Sequence, residues 1–180
     1  SRVEASVTYP ANFQLVAAMN PCPCGHFPDR SRCRCTDGQI TRYLQKVSGP
    51  MLDRIDICVE ASPITYGDIR SSGNNESSRE IRARVEQARK IQGERFAGEN
   101  IRCNGEMSGR HIRKFCGLGR EEEKFMEEIF KKLALSARMH DRILKVARTT
   151  ADLAGEEKIR LADLCEAVSY VKSRDKFWGN

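Results

Sequence analysis

Two closely spaced cysteine pairs constrain the fold of this chain more than any other feature of its sequence. Cys22 and Cys24 lie in the run CPCG, and Cys33 and Cys35 lie in the run CRC, so that one short turn can bring the four thiols together. Four thiolates satisfy the tetrahedral coordination of zinc, and the glycine after Cys24 permits a tight turn around a metal-bound sulfur. We therefore predict a closed, structural zinc site at these four cysteines.

Other interpretations of the four cysteines remain open. Both arms have the spacing CxC rather than the usual CxxC, which makes the geometry less familiar. The thiols could form two disulfides or stay free and redox-responsive, and His26 could replace one of them as a ligand. With four protein ligands, a zinc ion would stabilise the loop rather than catalyse a reaction.

The composition indicates a soluble globular protein. Its 39% hydrophobic and 31% charged residues exclude an intrinsically disordered chain. The longest apolar runs, LVAAM and LALSA, are too short to cross a bilayer and no leader opens the sequence, so we expect a cytoplasmic protein without membrane contact. The net charge of +6 is compatible with nucleic-acid contact, although a solvated surface is the simpler interpretation. The other four cysteines are scattered among apolar neighbours and predict core packing: Cys58, Cys103, Cys116 and Cys165.

The first 62 residues are predicted to be the last part of a larger α/β domain. Alternation over 3–9 and apolar content over 13–20 and 55–61 predict three strands. A helix is expected over Thr36 to Val47, capped by Thr36 or Asp37 and terminated by Ser48-Gly49-Pro50. Because so few strands make an incomplete sheet, their apolar faces need a partner.

Residues 63–78 are predicted to be a linker, since they are rich in Pro, Gly, Ser and Asn. Residues 79–180 are predicted to form an all-α bundle, so that the chain should be mainly helical overall. Apolar residues recur at helical spacing in four segments of this part. They are Ile81, Val85, Ala88 and Ile91; Phe125, Met126, Ile129, Phe130 and Leu133; Ile143, Leu144, Ala147, Ala151 and Leu153; and Leu164, Val168 and Val171.

Two polar residues stand at positions that suit a binding role. Asn20 ends the predicted buried strand, where it could contact a phosphate or a water, but it could equally begin the Asn-Pro turn. Arg54 lies between Asp53 and Asp56, and an ion pair with either acid is one interpretation. The other is an arginine presented at a subunit edge, where its permanent charge would stabilise a transferring γ-phosphate.

A third candidate is Arg138, at the start of a predicted helix. Arg142 and Lys145 follow at helical spacing and place three cations on the face opposite the apolar residues. Taken alone, the pattern predicts a solvated helix face.

In order along the chain, LVAAMNPCPCG, the CxC pair, GPMLDRIDI and LSARMHDRILKVARTTADLAG resemble the C-terminal half of the magnesium-chelatase-like AAA+ ATPases of the ComM/YifB type. The resemblance implies that residues 1–62 are the last part of an AAA+ core with a cysteine-rich insertion at 22–35, and that 79–180 are its helical lid. By the same resemblance, Asn20 looks like the sensor-1 residue, Arg54 like an arginine finger acting on the neighbouring subunit, and Arg138 like the sensor-2 arginine.

The resemblance also implies a function for a longer protein. Members of this type form homo-oligomeric rings, expected to be hexamers, that bind ATP and Mg²⁺ and remodel DNA by branch migration. This sequence contains no GxxxxGK[ST] loop and no acidic pair before residue 20, so we expect an inactive fragment. The alternatives are a self-sufficient, zinc-stabilised DNA- or protein-binding module and a magnesium chelatase subunit.

Overall fold

The structure, a computed structural model, describes residues 13–70 and 76–178. It is mainly helical, as the sequence predicts. The elements are α1 Asp37–Leu44, α2 Gly49–Leu52, α3 Tyr66–Arg70, α4 Ser78–Arg95, a 3-10 turn Asn104–Glu106, α5 Gly109–Phe115, α6 Arg120–Lys132, α7 Ala137–Leu153 and α8 Leu161–Trp178. Contacts divide the chain into two compact units, the first ending at Lys46 and the second beginning at Val47. None of the described helices has the length and apolar character that a membrane crossing requires.

The predicted strands are absent from the part of the chain that the structure describes. Segments 13–20 and 55–61 are irregular, and the side chains of Phe13 and Val16 are 78% and 84% exposed. A strand needs a neighbouring strand to satisfy its backbone and a packed layer to cover its apolar face. Neither is present for these segments within the described residues. The strand predicted at 3–9 lies outside the described residues.

The predicted first helix is confirmed as α1, with Thr36 as its cap. The Thr36 hydroxyl accepts a hydrogen bond from the amide of Gln39 at 3.3 Å, and the Gln39 side chain accepts one from the amide of Thr36 at 2.9 Å. This reciprocal pair satisfies two amides that a helix otherwise leaves unpaired. The expectation that Ser48-Gly49-Pro50 ends this helix is wrong. Ser48 instead caps α2, with Pro50 in its first turn, where a missing amide hydrogen costs nothing.

The second unit, which we call the helical unit, packs around α7. This helix contacts α4, α5, α8 and the 3-10 turn. Ala147 and Ala151 are fully buried, so neighbouring helices approach the α7 backbone closely. The apolar periodicity predicted this core on α6, α7 and α8. It predicted α4 less well, because Ile81 and Val85 are 43% and 42% exposed and the buried residues of α4 begin at Ala88. The apolar pattern did not predict α5, because so short a helix has little periodicity.

A buried carboxylate joins these helices. Asp152 of α7 is 1% exposed and accepts hydrogen bonds from both terminal nitrogens of Arg95 on α4. It also accepts from Nε of Arg148 at 3.0 Å and from Nδ2 of Asn104 at 2.8 Å. The one carboxylate therefore binds α4 and the 3-10 turn to α7.

The partners of Asp152 are held by further hydrogen bonds. The two terminal nitrogens of Arg148 donate to the carbonyls of Glu156 and Glu157, at 2.6 and 2.8 Å. The amide of Asn104 donates to the side chain of Gln92, and its Nδ2 also reaches the hydroxyl of Thr149. A buried charge is tolerated only with such partners, because it has lost its hydration.

We expect Asp152→Asn to lower the free energy of unfolding by about 3–5 kcal/mol, because it leaves the buried cation of Arg148 without a counter-charge. Denaturant unfolding followed by circular dichroism measures the change. Glu128→Gln on the exposed face of α6 is the control and should change stability by no more than about 0.5 kcal/mol. Equal effects of the two variants would contradict a central role for Asp152.

Candidate metal centre and arginine-bearing segments

The four cysteine sulfurs of the first unit lie within 4.8 Å of one another. The sulfur of Cys22 is 3.4 Å from that of Cys24 and 3.8 Å from that of Cys33, and the sulfurs of Cys24 and Cys33 are 3.6 Å apart. A tetrahedron with zinc–sulfur bonds of about 2.3 Å has edges of about 3.8 Å. The four free thiols, with Cys35 as the fourth, therefore fit a zinc ion.

The CPCG run forms a tight turn that aims backbone amides at the sulfurs. The amide of Gly25 donates to the carbonyl of Cys22 at 3.0 Å, and the amide of Phe27 donates to the sulfur of Cys22 at 3.4 Å. Gly25 has a φ of +80°, in the left-handed region that a residue with a Cβ rarely adopts. Asn20 lies against this turn, since its Cγ is 3.6 Å from the position that a Cβ on Gly25 would occupy.

The second cysteine arm is held by Asp29 and Arg30. The carboxylate of Asp29 accepts from the amide and the hydroxyl of Ser31, and its carbonyl accepts from the amide of Cys33 at 2.8 Å. Arg30 forms an ion pair with Asp37, the first residue of α1. The arm that carries Cys33 is thus tied to the helix that follows it.

The four thiols differ in acidity. The backbone amide of His26 lowers the pKa of Cys24 to about 6. At Cys35 the amide of Cys24 lowers the pKa, but burial and the neighbouring thiols outweigh it and raise the pKa to about 11. Near neutral pH the metal-free cluster would therefore hold both thiolates and thiols. A divalent cation would stabilise all four as thiolates, because its charge offsets their mutual repulsion.

Arg54 follows α2 and is exposed. Its Nη1 donates to the carbonyl of Pro50 at 2.5 Å, and neither Asp53 nor Asp56 pairs with it. The ion-pair interpretation of Arg54 is therefore wrong. Both neighbouring acids are engaged by α7 and α8, which leaves the charge of Arg54 uncompensated by acids of the described residues.

Arg142 holds the segment that carries Arg54. Its Nε lies 2.9 Å from the carboxylate of Asp56, and its Nη2 donates to the carbonyl of Asp53. The carboxylate of Asp53 lies 3.4 Å from Arg174 of α8. Two helices thus anchor residues 53–56 through arginine side chains. We call this set of contacts the arginine clamp.

The structure corrects the predicted basic face of α7. Arg142 is only 9% exposed, because the arginine clamp covers it, and Lys145 donates to the carbonyl of Gly105 at 3.1 Å. Arg138 alone of the three fits a solvated face, since it is exposed in the first turn of α7 and forms no side-chain bond with the described residues. Sequence reasoning missed the clamp because its partners are 86 residues or more apart in the chain.

Two family models match this chain. The one described as magnesium chelatase, subunit ChlI, matches residues 1–69, and the one described as magnesium chelatase, subunit ChlI C-terminal, matches residues 75–171. The chain therefore belongs to the magnesium chelatase family.

Individual relatives confirm the resemblance to the ComM/YifB type. The chain is 42% identical over 171 residues to the competence protein ComM of Haemophilus influenzae, and 44% identical over 172 residues to the uncharacterised protein YifB of Escherichia coli. It is 35% identical over 170 residues to an uncharacterised protein of Mycobacterium tuberculosis. Each match covers 94% of this chain and 33% of the relative, so the chain spans about a third of the length of these relatives.

The arginine clamp predicts how residues 49–56 respond to mutation. Arg142→Met keeps an unbranched aliphatic stem but removes the guanidinium and its bonds to Asp53 and Asp56, so the amides of this segment should exchange with solvent about tenfold faster or more. Hydrogen exchange followed by mass spectrometry measures the change. Arg138→Met, on the same helix but outside the clamp, should leave the exchange unaltered, and equal exchange in both variants would contradict the clamp.

Proposed function

We propose that this chain is the sensor and lid portion of a ring-forming, DNA-acting ATPase, in which Arg54 contacts the nucleotide of a neighbouring subunit. The exposed position of Arg54 on a segment anchored by the arginine clamp supports the proposal most directly. An arginine that acts across an interface needs a charge that no acid of its own subunit neutralises, and it must be held in place, because disorder would weaken its effect on the transition state. Arg54 meets both conditions within the described residues.

Arg138 and Asn20 are proposed to contact nucleotide bound by their own subunit. Arg138 is exposed in the first turn of α7, and the capping bond of Ser136 fixes the start of that helix. Asn20 is exposed at the turn into the cysteine-rich loop. An arginine would stabilise negative charge on the phosphates, and an amide would orient the attacking water.

ATP and Mg²⁺ are proposed as ligands of the complete ATPase. The sequence of this chain carries no phosphate-binding loop and no acidic pair for Mg²⁺, so residues outside it would hold the phosphates and the metal. The 180-residue chain alone is therefore expected not to hydrolyse ATP. The partners proposed are further copies of the same subunit, in a ring expected to be hexameric, and DNA.

The test of this function uses the full-length protein that includes this chain. Arg54→Ala should lower kcat for ATP hydrolysis by on the order of 10³-fold, because it removes a charge that stabilises the transferring phosphoryl group. Mixing Arg54→Ala subunits with subunits that lack the phosphate-loop lysine should restore part of the activity. Restoration would occur only at interfaces where an intact Arg54 faces an intact nucleotide site.

Lys132→Ala is the matched control, since this exposed cation at the end of α6 forms no ion pair with the described residues. It should hydrolyse ATP like the wild type. Wild-type turnover by Arg54→Ala would show that Arg54 does not act on nucleotide. A loss of turnover that no mixture restores would place its action within one subunit.

We further propose that the four clustered cysteines bind a structural zinc ion. The distances between their sulfurs support this proposal, together with the amides that point at Cys22 and Cys24. The chain is expected to contain one zinc, and Cys33→Ser should lose it and open residues 21–46 to proteolysis. Lowering the pH should release the metal, because protons compete with it for the thiolates.

Elemental analysis and limited proteolysis measure these two effects. Cys165→Ser is the control, since Cys165 is exposed on α8 and lies outside the cluster. A purified chain with intact cysteines that holds no metal after refolding with zinc would overturn the assignment.

A further inference from the structure

The first unit carries more basic side chains than its acids can neutralise. Residues 21–46 contain five basic and two acidic side chains. The acids are engaged locally, because Asp29 accepts hydrogen bonds from Ser31 and Asp37 pairs with Arg30. Arg34, Arg42 and Lys46 form no ion pair with the described residues. Unpaired cations on one small unit attract a polyanion.

These three cations line the same cleft. Its volume is about 480 Å³, and its walls include Cys24, Arg34, Cys35, Arg42, Tyr43 and Lys46. Tyr43 is half-buried, and the ammonium group of Lys46 lies 5.8 Å from the centre of its ring. An aromatic face and three cations therefore share one surface depression. We call it the basic cleft.

The basic cleft continues along the cysteine-rich loop. A second shallow depression is lined by Cys24, His26, Ser31, Arg32 and Arg34, so Cys24 and Arg34 border both. The two depressions adjoin at Cys24 and Arg34, and cations line both. Cations spread over two adjoining open depressions suit the repeated phosphates of a polymer better than one small anion, which an enclosed site would surround.

We propose that the basic cleft binds single-stranded DNA, with Arg34, Arg42 and Lys46 contacting phosphates and Tyr43 stacking on a base. Cations along a groove beside an aromatic side chain are the combination that binds single strands without sequence preference. Base pairs in a duplex are stacked on each other and do not offer a face to Tyr43, so the cleft favours unpaired DNA. The inference rests on the proposed DNA-acting function and gives it a location.

The zinc site would make the cleft rigid. Cys24 and Cys35 are two of the four clustered cysteines and also line the cleft, and Arg34 lies between Cys33 and Cys35. A metal ion that fixes these sulfurs also fixes the backbone from which Arg34 extends. Groups held in place lose less conformational freedom on binding, and so bind more tightly.

The test measures binding of a fluorescently labelled oligothymidylate to the zinc-loaded chain by fluorescence anisotropy, over a range of salt concentrations. The triple variant Arg34→Gln, Arg42→Gln, Lys46→Gln should bind at least about tenfold more weakly at low salt. The slope of log affinity against log salt should fall by about 2, since each lost phosphate contact with a single strand contributes about 0.7. Tyr43→Leu should weaken binding about tenfold with an unchanged slope, because stacking is not electrostatic.

The matched control removes three exposed cations of the helical unit, with Lys124→Gln, Lys132→Gln and Lys158→Gln. It changes the net charge equally and should retain nearly all affinity. Zinc content and circular dichroism of each variant show that it has folded. If the triple variant does not fold, Arg42→Gln with Lys46→Gln replaces it, with an expected fall in slope of about 1.4.

Equal losses in the cleft variant and the control would overturn the proposal, because they would show attraction to net charge alone. Tighter binding of a duplex than of the single strand would also overturn it. Failure of the cleft assignment can be distinguished from failure of the ATPase proposal. If Arg54→Ala abolishes ATP hydrolysis while the cleft variants bind the oligonucleotide like the wild type, the cleft assignment fails and the ATPase proposal stands.

Discussion

The buried carboxylate of Asp152 is the interaction on which the helical unit depends. It lies on the central helix α7 and gathers Arg95, Arg148 and Asn104 from three parts of the chain. Apolar packing brings the helices together, but it is non-directional and tolerates sliding. Hydrogen bonds to one carboxylate require particular distances and angles, so they select one register of α4 against α7.

The register of α7 in turn positions the groups proposed to act on nucleotide. Arg138 extends from its first turn and Arg142 from its second, while Asp152 anchors its last turn. Through Arg142, the same helix holds residues 53–56 and with them Arg54. Two arginines with different proposed roles thus depend on one helix. A shift of α7 would move both, which offers a physical route for coupling the proposed lid to the proposed subunit interface.

Local sequence chemistry predicted the elements whose stability is itself local. Thr36, one of two predicted caps, marked the start of α1, and the two cysteine pairs with Gly25 marked the turn that brings four sulfurs together. Local sequence could not predict correctly whether segments 13–20 and 55–61 form strands. Apolar content makes a segment able to form a strand, but only a neighbouring strand and a covering layer stabilise one, and the described residues provide neither.

The sequence by itself determined the family, the mainly helical character, the apolar faces of α6, α7 and α8, and the cysteine set, because each is written in residues close together along the chain. Only the tertiary structure decided which charged side chains form ion pairs and which are left exposed without one. The sequence places Arg138 and Arg142 on the same face of α7, yet Asp53 and Asp56 contact only Arg142. Arg54 stands between the same two acids but pairs with neither. Ion pairing depends on distance in space, and residues remote in sequence decide it.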